Sequence, residues 1–269
     1  MIDNARALLE TGRSIASERV NGVNDNMMEL HYHDFYEIYY LESGERYHLI
    51  EDKLYHLVPG QFILFKPFIL HRSYGELDMP FGRLLVYFRP GTLLSGELKA
   101  ALEDASGAYQ LNAQDNAFFY QCMNRLLNEQ DQPREYSTEY QTSLLNTMLI
   151  HLFRSKKEEV KRDKKSRVAK VISWLSSNYA EEISLEDLAR QFYVSPYHLC
   201  REFKLYTRST IVQYLNAIRI IEAQKMLLTT DKNITQISSE VGFDSITHFE
   251  RVFKKTTGLT PRQSRKLEI

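Results

Sequence analysis

Apolar and polar positions change rhythm several times along the 269 residues. Residues 1–25 are polar and weakly patterned, and a short helix followed by an arm is expected. From Met28, aromatic and β-branched residues come in short runs between turn signals: Ser43-Gly44, Glu51-Asp52, Pro59-Gly60, Lys66-Pro67, Tyr74-Gly75, Met79-Pro80 and Arg89-Pro90-Gly91. Short strands punctuated at this spacing predict an all-β sandwich or barrel. The rhythm then becomes helical. Phe118, Phe119, Cys122, Met123, Leu126 and Leu127 form one stripe within Asp115–Gln130. Tyr140, Leu144, Leu145, Met148, Leu149, Leu152 and Phe153 form another within Glu135–Arg154. Their spacing predicts two helices that pack on the barrel, with a homodimer face as a second reading. Residues 155–167 are almost all charge around a single Val160, which predicts a solvated linker.

The last hundred residues contain one pattern twice. Ile183–Lys204 and Ile234–Lys254 each read as a short amphipathic helix, a turn, a Ser and a second helix ending Arg-x-Phe-Lys. That is the outline of a helix-turn-helix. Val168–Tyr179 is a helical stripe that precedes the first copy, with Trp174 as its anchor. Ser184, Ser195, Thr235 and Ser245 are the expected N-caps, and Pro196 takes the first helical position, where a missing N–H costs nothing. In the second helix of each copy Leu199 and Phe203, and Phe249 and Phe253, are spaced to face inward. Thr210–Leu228 predicts one long helix joining the two units. The expected organisation is α+β: a domain over 1–154, a linker over 155–167 and an all-α domain over 168–269.

Charge supports this division. The net balance of −1 conceals −8 over residues 1–160 (15 Lys+Arg, 23 Asp+Glu) and +7 over 161–269 (19 against 12). A basic half with a doubled helix-turn-helix suits double-stranded DNA. The two cysteines, Cys122 and Cys200, make no disulfide framework and fit a reducing cytosol. No secretory signal or membrane-length apolar run is visible, so a cytoplasmic protein with no membrane partner is expected.

Candidate chemistry in the barrel begins at His31-Tyr-His33-Asp-Phe-Tyr-Glu37. On an extended strand its odd-numbered residues share one face. With His71 they make a set that suits a divalent transition metal or a polar pocket for hydroxyls. His-x-His-xxx-Glu-xxxxxx-Gly followed by Gly…Pro-xxx-His resembles the two motifs of the cupin barrel over residues 28–92. In metal-binding cupins the matching ligands would be His31, His33, Glu37 and His71. No cofactor is expected here. A cupin metalloenzyme using those four residues is the alternative, and a barrel serving only for dimerisation is a third reading.

The basic half resembles the AraC/XylS family of transcription regulators over residues 168–266. The resemblance rests on Leu188-Ala189, Ser195…Leu199-x-Arg201-x-Phe203-Lys204, Tyr214-Leu215…Arg219…Ala223…Leu227-Leu228, Gly242-Phe243, Phe249-x-Arg251-x-Phe253-Lys254 and Gly258-x-Thr260-Pro261. It implies a non-enzymatic, DNA-binding activator. The first recognition helix would present Pro196, Tyr197, His198, Cys200, Arg201 and Lys204, and the second Ile246, Thr247, Glu250, Arg251, Lys254 and Lys255. It also implies a homodimer, contact with RNA polymerase and a small polar effector such as a sugar. His31, His33, Glu37, Tyr39, Arg46, His71 and Arg72 are the expected effector residues. Two departures stand out: Arg208 and Tyr193 occupy positions where glycines are usual. If either half departs from the family's docking geometry, the first is expected to do so.

Overall fold

The structure, a computed structural model, describes residues 4–23, 30–76, 78–160, 162–163 and 167–266. The expected barrel start at Met28 and part of the expected linker lie outside them. The chain divides into two compact units, Met1–Asp163 and Lys164–Ile269.

The first unit opens with helix α1 (Asn4–Glu10) and strand β1 (Ile15–Val23). Then come β2 (Tyr36–Ser43), β3 (Arg46–Ile50), β4 (Lys53–Leu57), β5 (Phe62–Phe65), β6 (His71–Tyr74) and β7 (Pro80–Phe88). A 3-10 turn (Pro90–Thr92), helix α2 (Gly96–Glu103) and β8 (Gly107–Leu111) follow, before helices α3 (Ala113–Asp131) and α4 (Ser137–Arg154). Strands β9 (Lys157–Glu159) and β10 (Arg162–Asp163) end the unit. One antiparallel sheet has the order β1-β7-β2-β5-β8-β9, the other β10-β4-β3-β6. Period-two alternation sorts β2 into two faces. Tyr36, Ile38 and Tyr40 join Phe119, Met123, Leu145 and Leu149 in a core under α3 and α4. Tyr39 and Leu41 point into the barrel, with Ile63, Phe65, Leu85 and Tyr87.

Two expectations are corrected here. The arm after α1 is strand β1, paired with β7 along its whole length from Ile15↔Phe88 to Val23↔Pro80. The charged segment expected as a solvated linker carries β9 and β10. Strand β9 extends one sheet (Tyr109↔Glu159) and β10 the other (Arg162↔Tyr55). Edge strands pair through backbone groups, so charged residues in β9 keep their pairing while staying in water.

The second unit is all helical: α5 (Arg167–Ser177), α6 (Leu185–Gln191), α7 (Pro196–Thr207), α8 (Ile211–Thr229), α9 (Ile234–Glu240), α10 (Ile246–Thr257) and α11 (Pro261–Lys266). Ser184, Ser195 and Ser245 accept from backbone N–H groups three residues on, as their sequence context predicts. Thr235 does not cap α9. Asn233 does, in a capping box with Gln236. An Asn there satisfies a helix-end donor and leaves Thr235 inside the first turn. Arg219 on α8 donates to the carbonyls of Tyr179 (2.7 Å) and Glu181 (2.8 Å), tying the α5–α6 connection to the long helix. No helix of the described residues is long and apolar enough to cross a membrane.

Candidate nucleic-acid interface and sensor cluster

The two helix-turn-helix copies are built alike. Leu199 and Phe203 are fully buried on α7, as are Phe249 and Phe253 on α10. Phe203 meets Tyr214 of α8 edge-on at 5.4 Å, whereas Phe249 meets Phe253 at 5.6 Å and Phe243 at 5.3 Å. The outer faces are bare. Pro196, Tyr197, His198, Arg201 and Lys204 are exposed on α7, with Cys200 half-buried. Ile246, Thr247, Glu250, Arg251, Lys254 and Lys255 are all exposed on α10. His198 lies 3.8 Å from Glu202, which also accepts from Arg167 at 3.0 Å. Among the described residues, neither Arg201 nor Arg251 pairs with an acid on its supporting helix.

The turns of the first copy follow the backbone path of the second without its glycines. Tyr193 takes φ 57° where Gly242 takes 87°, and Arg208 takes φ 58° where Gly258 takes 78°. The backbone after α7 therefore leaves in the same left-handed step as after α10, with the cap N–H bonded to Lys204 O and Lys254 O respectively. Each non-glycine residue in this conformation costs about 1–2 kcal/mol. Tyr193 is 94% exposed, so its side chain meets no obstacle. Gly242 has no such freedom, because a Cβ there would stand 2.8 Å from Ala180 O.

In the barrel, three buried side chains converge. His33 Nε2 lies 2.9 Å from Glu37 Oε2, and His71 Nε2 lies 3.6 Å from the same oxygen. Each imidazole faces a carbonyl through Nδ1, at Phe35 O and Ile69 O, both 2.8 Å away. That contact makes Nδ1 the donor of a neutral ring and turns the Nε2 lone pair toward Glu37. The lone pair and the carboxylate then face each other, an arrangement that a proton or a cation between them would relieve. Burial opposes the Glu37 charge, but the His33 hydrogen bond and the nearness of His71 hold its carboxyl well below the usual carboxylate range. Burial pushes His33 down. Among the described residues, His71 Nε2 has no hydrogen-bond partner. The donor atoms lie within 4.8 Å of one another, a set that fits a divalent transition ion. His31 is not among them: it bridges His71 through the backbone and remains half-exposed.

Deeper along the same interior is a second polar layer. Arg46 Nε donates to Ser73 Oγ at 3.3 Å and its guanidinium lies 4.1 Å from the Phe81 ring centre. Tyr39 meets His48 edge-on at 4.4 Å, and the Arg83 guanidinium lies 5.6 Å from the Tyr39 ring. Burial, with Arg46 adding to it, pushes His48 well below the ordinary imidazole range. Arg72 is not brought together with the other expected effector residues: alternation puts it on the opposite face of β6 from His71 and Ser73, over Tyr74 at 4.7 Å.

A model of the AraC-like ligand binding domain matches residues 19–153, and one of a helix-turn-helix domain matches 188–267. The chain belongs to the AraC family of transcription regulators. Among its relatives, the HTH-type transcriptional activator RhaS of Enterobacter sp. (strain 638) is 28% identical over 177 residues, 64% of this chain and 64% of its own. RhaS of Salmonella arizonae is 32% identical over 123 residues, 46% of this chain and 44% of its own. The chain thus matches less than two thirds of either relative's length. ToxT from Vibrio cholerae aligns over 94% of this chain and 98% of its own, at 16% identity and a TM-score of 0.40.

Three residues of this AraC-family sensor unit, His48, Ser73 and Arg83, escaped sequence reasoning. A signal was present: Arg83 alternates with Phe81, Leu85 and Tyr87 on one face of a strand that is otherwise apolar there.

Proposed function

We propose that this chain is a sequence-specific, DNA-binding transcription activator whose N-terminal barrel senses a small polar effector such as a sugar. The observation that carries this reading is the pair of matched recognition helices whose inner faces are buried and whose cations and polar groups are bare. On docking, α7 presents Tyr197, Cys200 and Arg201 to base edges, with Pro196 at its tip and His198 and Lys204 near phosphates. Helix α10 presents Ile246, Thr247, Glu250 and Arg251 to bases, and Lys254 and Lys255 to phosphates. Two such helices on one chain suit successive major-groove segments ~34 Å apart. The effector meets Tyr39, Arg46, His48, Ser73 and Arg83, with Glu37, His33 and His71 beside them. Exposed Tyr140 and Ile150 on α4 support a homodimer face. RNA polymerase is the downstream partner, and the cytoplasm is the site of action.

Footprinting of the full chain upstream of the neighbouring operon tests this, with a sugar panel in parallel thermal melts. A salt-sensitive footprint is expected, together with a higher melting temperature in the presence of an effector, because a ligand of the folded state stabilises it. No protected region at low salt would contradict the DNA assignment. Protection without any ligand response would restrict the barrel to dimerisation.

One observation favours a second reading: two imidazole lone pairs aimed at one buried carboxylate. A divalent ion held by His33, Glu37 and His71 would supply a fixed positive charge to the sensor interior. Metal analysis of chain purified without chelator tests it. Stoichiometric metal that is lost in Glu37→Ala supports the ion, and metal-free protein with an unchanged melting temperature on adding zinc or nickel rejects it.

A further inference from the structure

Arg208 ends the first recognition helix in the left-handed conformation, which favours glycine, and Gly258 ends the second in the same way. Backbone geometry therefore gives no reason for an arginine. Its surroundings do. Arg201, Lys204, Leu205 and Arg208 line a shallow recess of about 240 Å³. Spacing puts Arg201, Lys204 and Leu205 on one face of α7, and Arg208 follows at its C-cap. Three cations and no acid line the recess, over an exposed leucine. Among the described residues, no ion pair or side-chain hydrogen bond engages Arg201, Lys204 or Arg208. Like charges on neighbouring positions repel, and an anion beside them relieves that repulsion.

We propose that Arg208, with Lys204, clamps a DNA backbone phosphate at the C-terminal end of α7. This rests on the docking of α7 proposed above. The clamp is one-sided: the second copy has no side chain at Gly258 and holds phosphates through Lys254 and Lys255. A phosphate contact positions the protein and carries no base information. Any duplex therefore serves as the probe.

The full chain is titrated with a labelled duplex of arbitrary sequence over about 0.05–0.3 M KCl. Each neutralised phosphate contributes about 0.9 to the slope of log K against log salt. Arg208→Gly is expected to flatten that slope by about this amount, which is about eightfold weaker binding at ~0.1 M salt, converging on the parent toward ~1 M. It also melts no lower than the parent, since glycine fits φ 58°. Arg208→Lys retains the slope. Lys99→Gln, on helix α2 of the other unit, removes a charge elsewhere and leaves the slope unchanged. An unaltered slope in Arg208→Gly overturns the clamp. An equal loss in Lys99→Gln also overturns it, as an effect of net charge. If the parent shows no salt-dependent binding at all, the DNA reading falls with it.

Discussion

Gly242 and Tyr193 occupy equivalent turns with the same backbone hand, but only Tyr193 has room for a side chain. A Cβ on Gly242 would lie 2.8 Å from Ala180 O and 3.0 Å from Ala180 Cα, and backbone cannot step aside as a flexible side chain does. Placing an L-residue at φ 87° costs about 1–2 kcal/mol, and forcing atoms into an occupied space about 1–3 kcal/mol more. Gly242→Ala should therefore destabilise the helical unit by about 2–5 kcal/mol. Ala180 belongs to the α5–α6 connection, so the loss falls on the seam between the two copies. Trp174, the only tryptophan, lies on α5, and its fluorescence reports this unit alone in a urea melt. With a urea slope of about 1.5 kcal/mol/M, the midpoint falls by about 1–3 M. Tyr193→Gly behaves differently. Relief of the left-handed strain is offset by the greater freedom of unfolded glycine, for a net change within about 1 kcal/mol. An unchanged midpoint in Gly242→Ala, or equal losses in both variants, refutes the reasoning.

Other consequences are as direct. Because burial holds His33 and His48 below the ordinary imidazole range, the unfolded chain takes up protons that the folded sensor refuses as pH falls through ~6.5. Sensor stability should thus fall below about pH 6.5 in thermal melts, and His48→Gln should flatten the dependence. Glu37 does not offset this, since its depressed pKa contributes stability throughout that window, to be lost only in stronger acid. Asn233→Ala should cost about 0.5–2 kcal/mol and Thr235→Ala no more than about 0.5 kcal/mol, read from the same tryptophan melts. Arg201→Ala should weaken binding to a selected cognate site by about 1–3 kcal/mol if it contacts a base bidentately, and unchanged affinity at fixed salt would remove that assignment.

Much of this fold could be read from the chain because its signals are local. The stripes of α3, α4 and α5, the serine caps and the doubled Arg-x-Phe-Lys each depend on spacing within one element. His33, Glu37 and His71 were legible because alternation and motif spacing agreed. Strands β9 and β10 were not, since their pairing is through backbone while composition reports only side chains. Strand β1 was missed because its outer half alternates polar residues without a continuous apolar face. Arg72 was chosen by residue type, although alternation from His71 already put it on the other face. At Tyr193 and Arg208 residue preference only marked the missing glycines as unusual, and the backbone keeps the left-handed turn at a modest strain.

The central claim is that one chain reads DNA with two recognition helices. Selection of bound duplexes from a random library by the full chain tests it most directly. The account predicts enrichment of two short boxes whose centres lie about one helical turn, ~10.5 base pairs, apart, with Arg201→Ala relaxing one box only. A single enriched box, or one that Arg201→Ala and Arg251→Ala relax alike, would contradict it.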